Sequence, residues 1–248
     1  MNSTLRTFFG IAIFLILATI PSTAQVTFKI GGGLGAMLPA GDLGGSTTDY
    51  YSGTKYGVGT GINLNGKAKV GLIGFNLTGE VDYSSLSNSG NSEAGQGSVD
   101  VSTKIFSLKV GPEFRLSVPL APIVPYIGIN IALNEFTGET TFQGVSKVPS
   151  GTYAQPTESR IGLGVYAGTE VSVGPFMAID FNLSYNLMNL SGSTWNSGNA
   201  GGADRINSYL ALNDSPDPLY AAGDDKHFIS GSRSINTILF TTSILFGL

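Results

Sequence analysis

The chain has 248 residues, a formal net charge of −4, 12% charged residues, 35 glycines and no cysteine. So low a charge excludes a disordered chain and a nucleic-acid-binding surface, and no cofactor motif stands out. The missing thiols exclude disulfides, thiolate zinc sites and a cysteine-linked lipid anchor.

Residues 1–24 read as a signal peptide. Arg6 supplies the positive start, Thr7 to Ile20 the apolar run, and Pro21-Ser-Thr-Ala24 a small-residue cleavage site that makes Gln25 the first mature residue. The run falls short of the roughly 20 residues of a spanning helix. Residues 25–248 are then one exported domain. From Gln25 onward the period is two, which puts alternate side chains on opposite faces of strands. The first strand sets Val26, Phe28, Ile30, Leu34, Ala36 and Leu38 against Lys29 and a run of glycines. Residues 41–55 read as a loop. The second strand, about 56–70, sets Val58, Ile62, Leu64 and Val70 against Asn63, Asn65, Lys67 and Lys69.

A tight turn at Gly71–Gly74 leads to the third strand, with Phe75, Leu77, Val81 and Tyr83 against Asn76, Thr78, Glu80 and Asp82. The expected register sets Lys69 opposite Asn76, Lys67 opposite Thr78 and Asn65 opposite Glu80. Residues 84–98, rich in Ser, Asn and Gly, read as a long loop. The fourth strand, about 101–118, opposes Phe106, Leu108, Val110 and Phe114 to Lys109, Glu113 and Arg115. After a short turn, the fifth carries Ile127, Ile129, Ile131 and Leu133, and residues 137–158 read as another long loop. The sixth opposes Ile161, Leu163 and Val165 to Arg160, Tyr166 and Glu170; across a short turn at Gly174 the seventh opposes Ile179, Phe181 and Leu183 to Asp180. Its register sets Glu170 directly opposite Asp180. The longest loop, 191–233, contains one possible short helical turn near Ala203 to Leu212. The closing strand ends Phe240-Thr-Thr-Ser-Ile244-Leu-Phe246-Gly-Leu248, with its apolar set on one face.

The fold expected is all-β: an eight-stranded antiparallel up-and-down transmembrane β-barrel. Short connections alternate with long ones, the pattern of short periplasmic turns and long extracellular loops. Aromatics sit where the two interfaces should be, Phe28, Phe75 and Phe246 at one end and Tyr56, Tyr83 and Phe240 at the other. Phe75 to Tyr83 spans roughly 20 Å along a tilted strand, near the apolar band height of about 25 Å. A soluble, lipocalin-like barrel would also alternate, but the glycine-rich polar face suits a narrow lumen better than a solvated exterior.

The signal segment, the alternating runs and the ending Thr237-Ile-Leu-Phe-Thr-Thr-Ser-Ile-Leu-Phe-Gly-Leu248 resemble the small eight-stranded outer-membrane barrels, the OmpA/OmpX-like family, over residues 25–248. The resemblance implies integral insertion in the bacterial outer membrane, both termini periplasmic. It also implies a C-terminal assembly signal in Phe240, Ile244, Phe246 and Leu248, read by the barrel-assembly machinery. The family favours a terminal aromatic; here Phe246 supplies it.

The inward face collects Lys29, Lys67, Lys69, Lys109, Arg115 and Arg160 with Glu80, Asp82, Glu113, Glu170 and Asp180. A lumen of this size is filled by side chains, so these charges are expected to pair as a plug rather than line an ion path. The single histidine, His227, lies near Asp224, Asp225 and Ser230. A local loop cluster lacks the positioning a catalytic triad requires, and the loop's acids match no calcium pattern, so neither catalysis nor metal binding is expected. Two function classes remain. One is a structural or surface-interaction barrel that presents its loops to an unknown ligand. The other is a narrow pore or a transporter of small hydrophobic molecules.

Overall fold

The computed structural model describes residues 26–72, 74–116, 122–191, 204–212 and 216–247. The signal segment, with Ala24 and Gln25, and the terminal Leu248 lie outside the described residues. Eight strands form the wall: β1 (Thr27–Gly41), β2 (Gly61–Leu72), β3 (Phe75–Glu93), β4 (Gln96–Arg115), β5 (Ile123–Gln143), β6 (Gly151–Ser172), β7 (Met177–Ser191) and β8 (Ile235–Gly247). Two short helices, α1 (Thr47–Tyr51) and α2 (Asp204–Leu210), lie in the first and last long connections. Every strand pairs antiparallel with its chain neighbour, and β8 returns to β1 from Lys29↔Gly247 to Gly41↔Ile235, closing the ring. No edge is left open along these pairings, so the apolar closing strand is safe from edge-to-edge aggregation.

Large apolar residues face outward through the middle of the wall. Leu64 is 50% exposed, Ile129 51% and Leu183 54%, and aromatics rim the band at Phe75, Phe114 and Phe246 on one side and Tyr83, Phe106, Tyr185 and Phe240 on the other. A water-facing surface does not carry so continuous an apolar belt; a lipid-facing one does. Tyr56 leaves this rim: it is 3% exposed, under the Arg233 guanidinium at 4.0 Å. Its position before β2 places it in the folded connection, not on the strand.

Two of the expected long loops are strand. β3 and β4 continue to a turn at Ala94-Gly95, and β5 and β6 continue to a turn over residues 144–150. The four strands rise past the apolar band as one sheet, and there the two faces exchange character. Ser85, Ser87, Asp100, Lys104, Glu135 and Glu139 point outward, while Leu86, Val99, Val101, Ile105, Phe136 and Phe142 turn inward and are buried. This is the ordinary water-facing β pattern, apolar in and polar out.

The chamber so formed is filled by α1, α2 and their flanks. Leu43, Tyr50, Val58, Ile206, Tyr209, Leu210 and Leu212 are buried against it. α1 is too short to be stable alone. It is held by a capping box, Ser46 Oγ accepting from Asp49 N at 3.0 Å while Asp49 Oδ2 accepts from Ser46 N at 2.9 Å, and by Tyr50. The Tyr50 ring lies 5.4 Å from Tyr209 and 6.3 Å from Phe142, and its hydroxyl lies 3.1 Å from Thr140 Oγ1. Burial pushes that phenol up to about 12.

Candidate functional site: the charged lumen

The polar half of the lumen lies at the short-turn end, and register decides what meets there. β2 and β3 pair Lys67↔Glu80, Lys69↔Thr78 and Asn65↔Asp82, a shift of two residues from the register expected from sequence. The reversal is centred one residue later than expected: pairing runs on to Leu72↔Phe75, and Gly74 takes φ +79° to complete it. This register also places opposite charges side by side, which favours it. β6 and β7 pair Glu170↔Asp180, the register expected.

Two adjacent carboxylates in a lumen require cations, and the centre of the answer is Lys69. Its Nζ lies 2.9 Å from Glu113, 2.9 Å from Glu170 and 3.6 Å from Asp180, and 4.1 Å from the Tyr126 ring centroid. Glu170 also receives Arg115 at 2.6 Å and pairs with Lys29. Asp180 also receives Lys67 at 2.8 Å and the Tyr126 hydroxyl at 2.5 Å. From Lys67 the chain continues to Glu80 at 3.1 Å, then Lys109 at 3.3 Å, then Asp82 at 2.7 Å. Ten side chains, five basic and five acidic, thus form one connected, electrically neutral cluster. Amides complete it: Asn76 donates to Glu113 at 2.8 Å and Asn63 to Asp82 at 3.2 Å. Neutrality and these extra hydrogen bonds are what make so many buried ions tolerable.

Arg160 does not share these contacts. It lies at the opposite, apolar end of the lumen, donating to Glu158 at 2.9 Å and to the Leu212 carbonyl at 2.6 Å, so it ties β6 to the segment leaving α2. Its inward parity was legible; its height along the barrel was not.

Tyr126 and Tyr166 thicken the wall beside the cluster. Each faces a glycine across β5 and β6, in the pairs Tyr126↔Gly168 and Gly128↔Tyr166, and a Cβ on either glycine would enter the opposite ring. Within the polar half of the lumen, a cavity of about 10 Å³ is bounded by Lys67, Glu80, Lys109, Asn130, Tyr166 and Asn182. It has room for about one water.

In the described part of the last connection, His227 Nδ1 lies 2.9 Å from Asp217 Oδ2, and Ser208 donates to the same carboxylate oxygen at 3.1 Å. Asp225 pairs with Lys147 at 2.7 Å, and Asp214 lies outside the described residues. Phe240, Ile244 and Phe246 of the C-terminal set are outward and about half exposed.

Three solved structures are similar to this chain. OprG of Pseudomonas aeruginosa is 10% identical, covers 90% of this chain and 95% of its own, with a TM-score of 0.49. Neisserial surface protein A is 13% identical, covers 89% and 95%, and scores 0.46. Ail of Yersinia pestis, solved with the heparin analogue sucrose octasulfate, is 12% identical, covers 90% and 99%, and scores 0.42. No curated protein matches the chain. The family model for the outer membrane protein beta-barrel domain matches residues 10–209. Since that match takes in well over half of the 248 residues, the chain belongs to the outer membrane protein β-barrel domain family.

Proposed function

We propose that this integral outer-membrane barrel is a structural, surface-interaction protein: its lumen is closed and its raised sheet and folded connections are held out for a ligand. The observation that carries the reading is the double closure of the lumen. One half is filled by the neutral ten-residue cluster, the other by an apolar core that includes both helices. An eight-stranded lumen has no width left for a path once it is filled in this way. The family is typically structural rather than catalytic. In the same reading, residues 1–24 are removed before Gln25, both termini are periplasmic, and the raised sheet stands on the extracellular side. Phe240, Ile244, Phe246 and Leu248 act as the signal to the barrel-assembly machinery.

The test is single-channel recording on the purified protein in planar bilayers. Silence, or brief and rare openings, is the expected result. Steady open-pore conductance would overturn the closed-lumen reading and put the narrow pore ahead of it.

A further inference from the structure

Three strands change chemistry in the same way along their inward faces, and the middle stage is uncharged. Rising from the short-turn end, β2 passes from Lys69 and Lys67 to Asn65 and Asn63. β5 passes from Tyr126 to Asn130 and Asn134 and then Phe136, and β7 from Asp180 to Asn182 and Asn186 and then Met188. All six asparagines are buried. On β5 and β7 these pairs separate the polar cluster from the apolar core.

Two of the amides find protein partners throughout their reach. Asn134 accepts from Ser107 Oγ at 2.7 Å and donates to the Met188 carbonyl at 3.0 Å, and Asn182 donates to the Tyr126 hydroxyl at 3.1 Å. Asn130 and Asn186 are different. Gly164 of β6 pairs with Asn130 on one side and with Asn186 on the other. The two side-chain oxygens converge over this glycine: a Cβ on Gly164 would lie 2.6 Å from Asn130 Oδ1 and 2.7 Å from Asn186 Oδ1. Both oxygens are buried, and neither has a hydrogen-bond donor among the described residues. The orientation of Asn186 is set, because its Nδ2 donates to Ser184 Oγ at 3.1 Å and to Thr237 Oγ1 at 3.3 Å. Asn63 Oδ1 and Asn65 Nδ2 are likewise without partners, so the amide belt as a whole has hydrogen-bonding capacity to spare. A buried acceptor left unmet is costly, and two acceptors cannot satisfy each other.

We infer that the lumen binds a single water molecule here, donating to Asn130 Oδ1 and Asn186 Oδ1. The inference goes beyond the surface-interaction reading and does not depend on it. Size and charge choose the ligand. The cavity in the polar half is bordered by Asn130, and by Tyr166 and Ser184, which stand next to Gly164 and Asn186 on the inward faces of β6 and β7. Its volume of about 10 Å³ matches one water and excludes an organic ligand. A metal ion would also suit oxygens, but Lys67 and Lys109 border the same cavity and the ten-residue cluster is already neutral, so an added cation would stand buried and uncompensated. An anion would meet two more acceptors. Water supplies two donors for two acceptors, and it joins β5 to β7 across a strand that contributes no side chain at that point.

The experiment pairs a high-resolution crystal structure of the full-length protein, grown in a lipid mesophase, with urea unfolding of wild type and Asn130→Leu in liposomes. The structure should show a density peak within hydrogen-bonding distance of both oxygens, and Asn130→Leu should lower the urea midpoint. The sign of that shift is informative. If the oxygen were dry, an apolar side chain of similar volume would remove an unmet acceptor and raise the midpoint. A raised or unchanged midpoint therefore overturns the inference. So does an empty position in the wild-type density, or an Asn130 amide turned so that Nδ2 donates directly to Asn186 Oδ1. A peak surrounded by five or six oxygens at metal-ligand distances gives the site to a cation and overturns it too. If Asn130→Leu does not fold, the wild-type density decides alone.

Discussion

Lys69→Met removes one charge from the centre of the cluster and keeps most of the stem. Three carboxylates lose a cation, but not equally. Glu170 retains Lys29 and Arg115, and Asp180 retains Lys67 and the Tyr126 hydroxyl. Glu113 retains Asn76 and Thr78, and among the described residues Lys69 is the one cation paired with it. An uncompensated buried carboxylate is the costly event, and breaking a buried pair from one side typically costs about 3–5 kcal/mol. Lys69 is 1% exposed, so solvent screening does not discount the figure. The second variant, Lys69→Met/Glu113→Gln, restores neutrality and should recover more than half of the loss, a coupling that a double-mutant cycle reads directly. The assay is reversible urea unfolding in liposomes, compared at matched slope. A single variant within about 1 kcal/mol of wild type, or a double variant no more stable than the single, would refute the argument that pairing at Lys69 holds the lumen together.

Other expectations follow from the wall and the connections. Leu64→Arg and Ile129→Arg, both on the lipid face near mid-band, should each cost about 2–4 kcal/mol in liposome refolding, whereas Tyr83→Arg at the rim should cost about 0–1; equal costs at both depths would argue against a bilayer around this band. Gly128→Ala drives a methyl into the Tyr166 ring and should cost about 1–3 kcal/mol, mostly relieved when Tyr166→Ala is added, by the same unfolding assay. Mass spectrometry of the mature protein should find Gln25 as its first residue; an intact Met1 start would rule out cleavage at Ala24. Asp49 sits below its ordinary value of 3.8 because the Ser46 backbone N–H, and then its hydroxyl, hydrogen-bond the carboxylate. A depressed value means that the capping box contributes fully above the ordinary range and is lost only as pH falls through the lower one. A carboxyl NMR titration with a midpoint at or above the ordinary value would contradict this.

The eight strands were legible because lipid imposes the strongest pattern a strand can carry, apolar on every second residue with charges between. The membrane-spanning part of each strand was therefore visible, and so was the inward parity of the lumen charges. The β6–β7 register was visible too, because the short turn at Gly174 leaves little choice. The β2–β3 register was not. The stretch Gly71-Leu-Ile-Gly74 can reverse one residue earlier or later, and both registers keep apolar against apolar. What separates them is the pairing on the other face, Lys67 against Glu80 rather than Thr78. Cross-strand charge matching was the signal that could have decided it.

The raised sheet was missed for a different reason, and the reason explains how the lumen is filled. Residues 84–98 and 137–158 look like loops because their outward positions are Ser, Thr, Asn and acids. Their inward positions mix small polar residues, among them Ser84, Ser92 and Thr140, with the buried apolar Leu86 and Phe142, and Val99 continues the set on β4; all keep the same parity as Glu80, Lys109 and Asn130 lower on the same strands. The alternation never stops; its polarity inverts where the wall leaves lipid. Ile105 and Phe106 stand on either side of that inversion, the first 0% and the second 46% exposed. An inward apolar face above the band must be covered, and a barrel of eight strands has only its own connections to cover it. The first and last connections therefore fold inward as α1 and α2, with Tyr50 and Tyr209 in contact at the centre. Below the inversion the same lumen must neutralise charge instead. Each half is unstable if left empty, so filling both follows from the strand pattern itself.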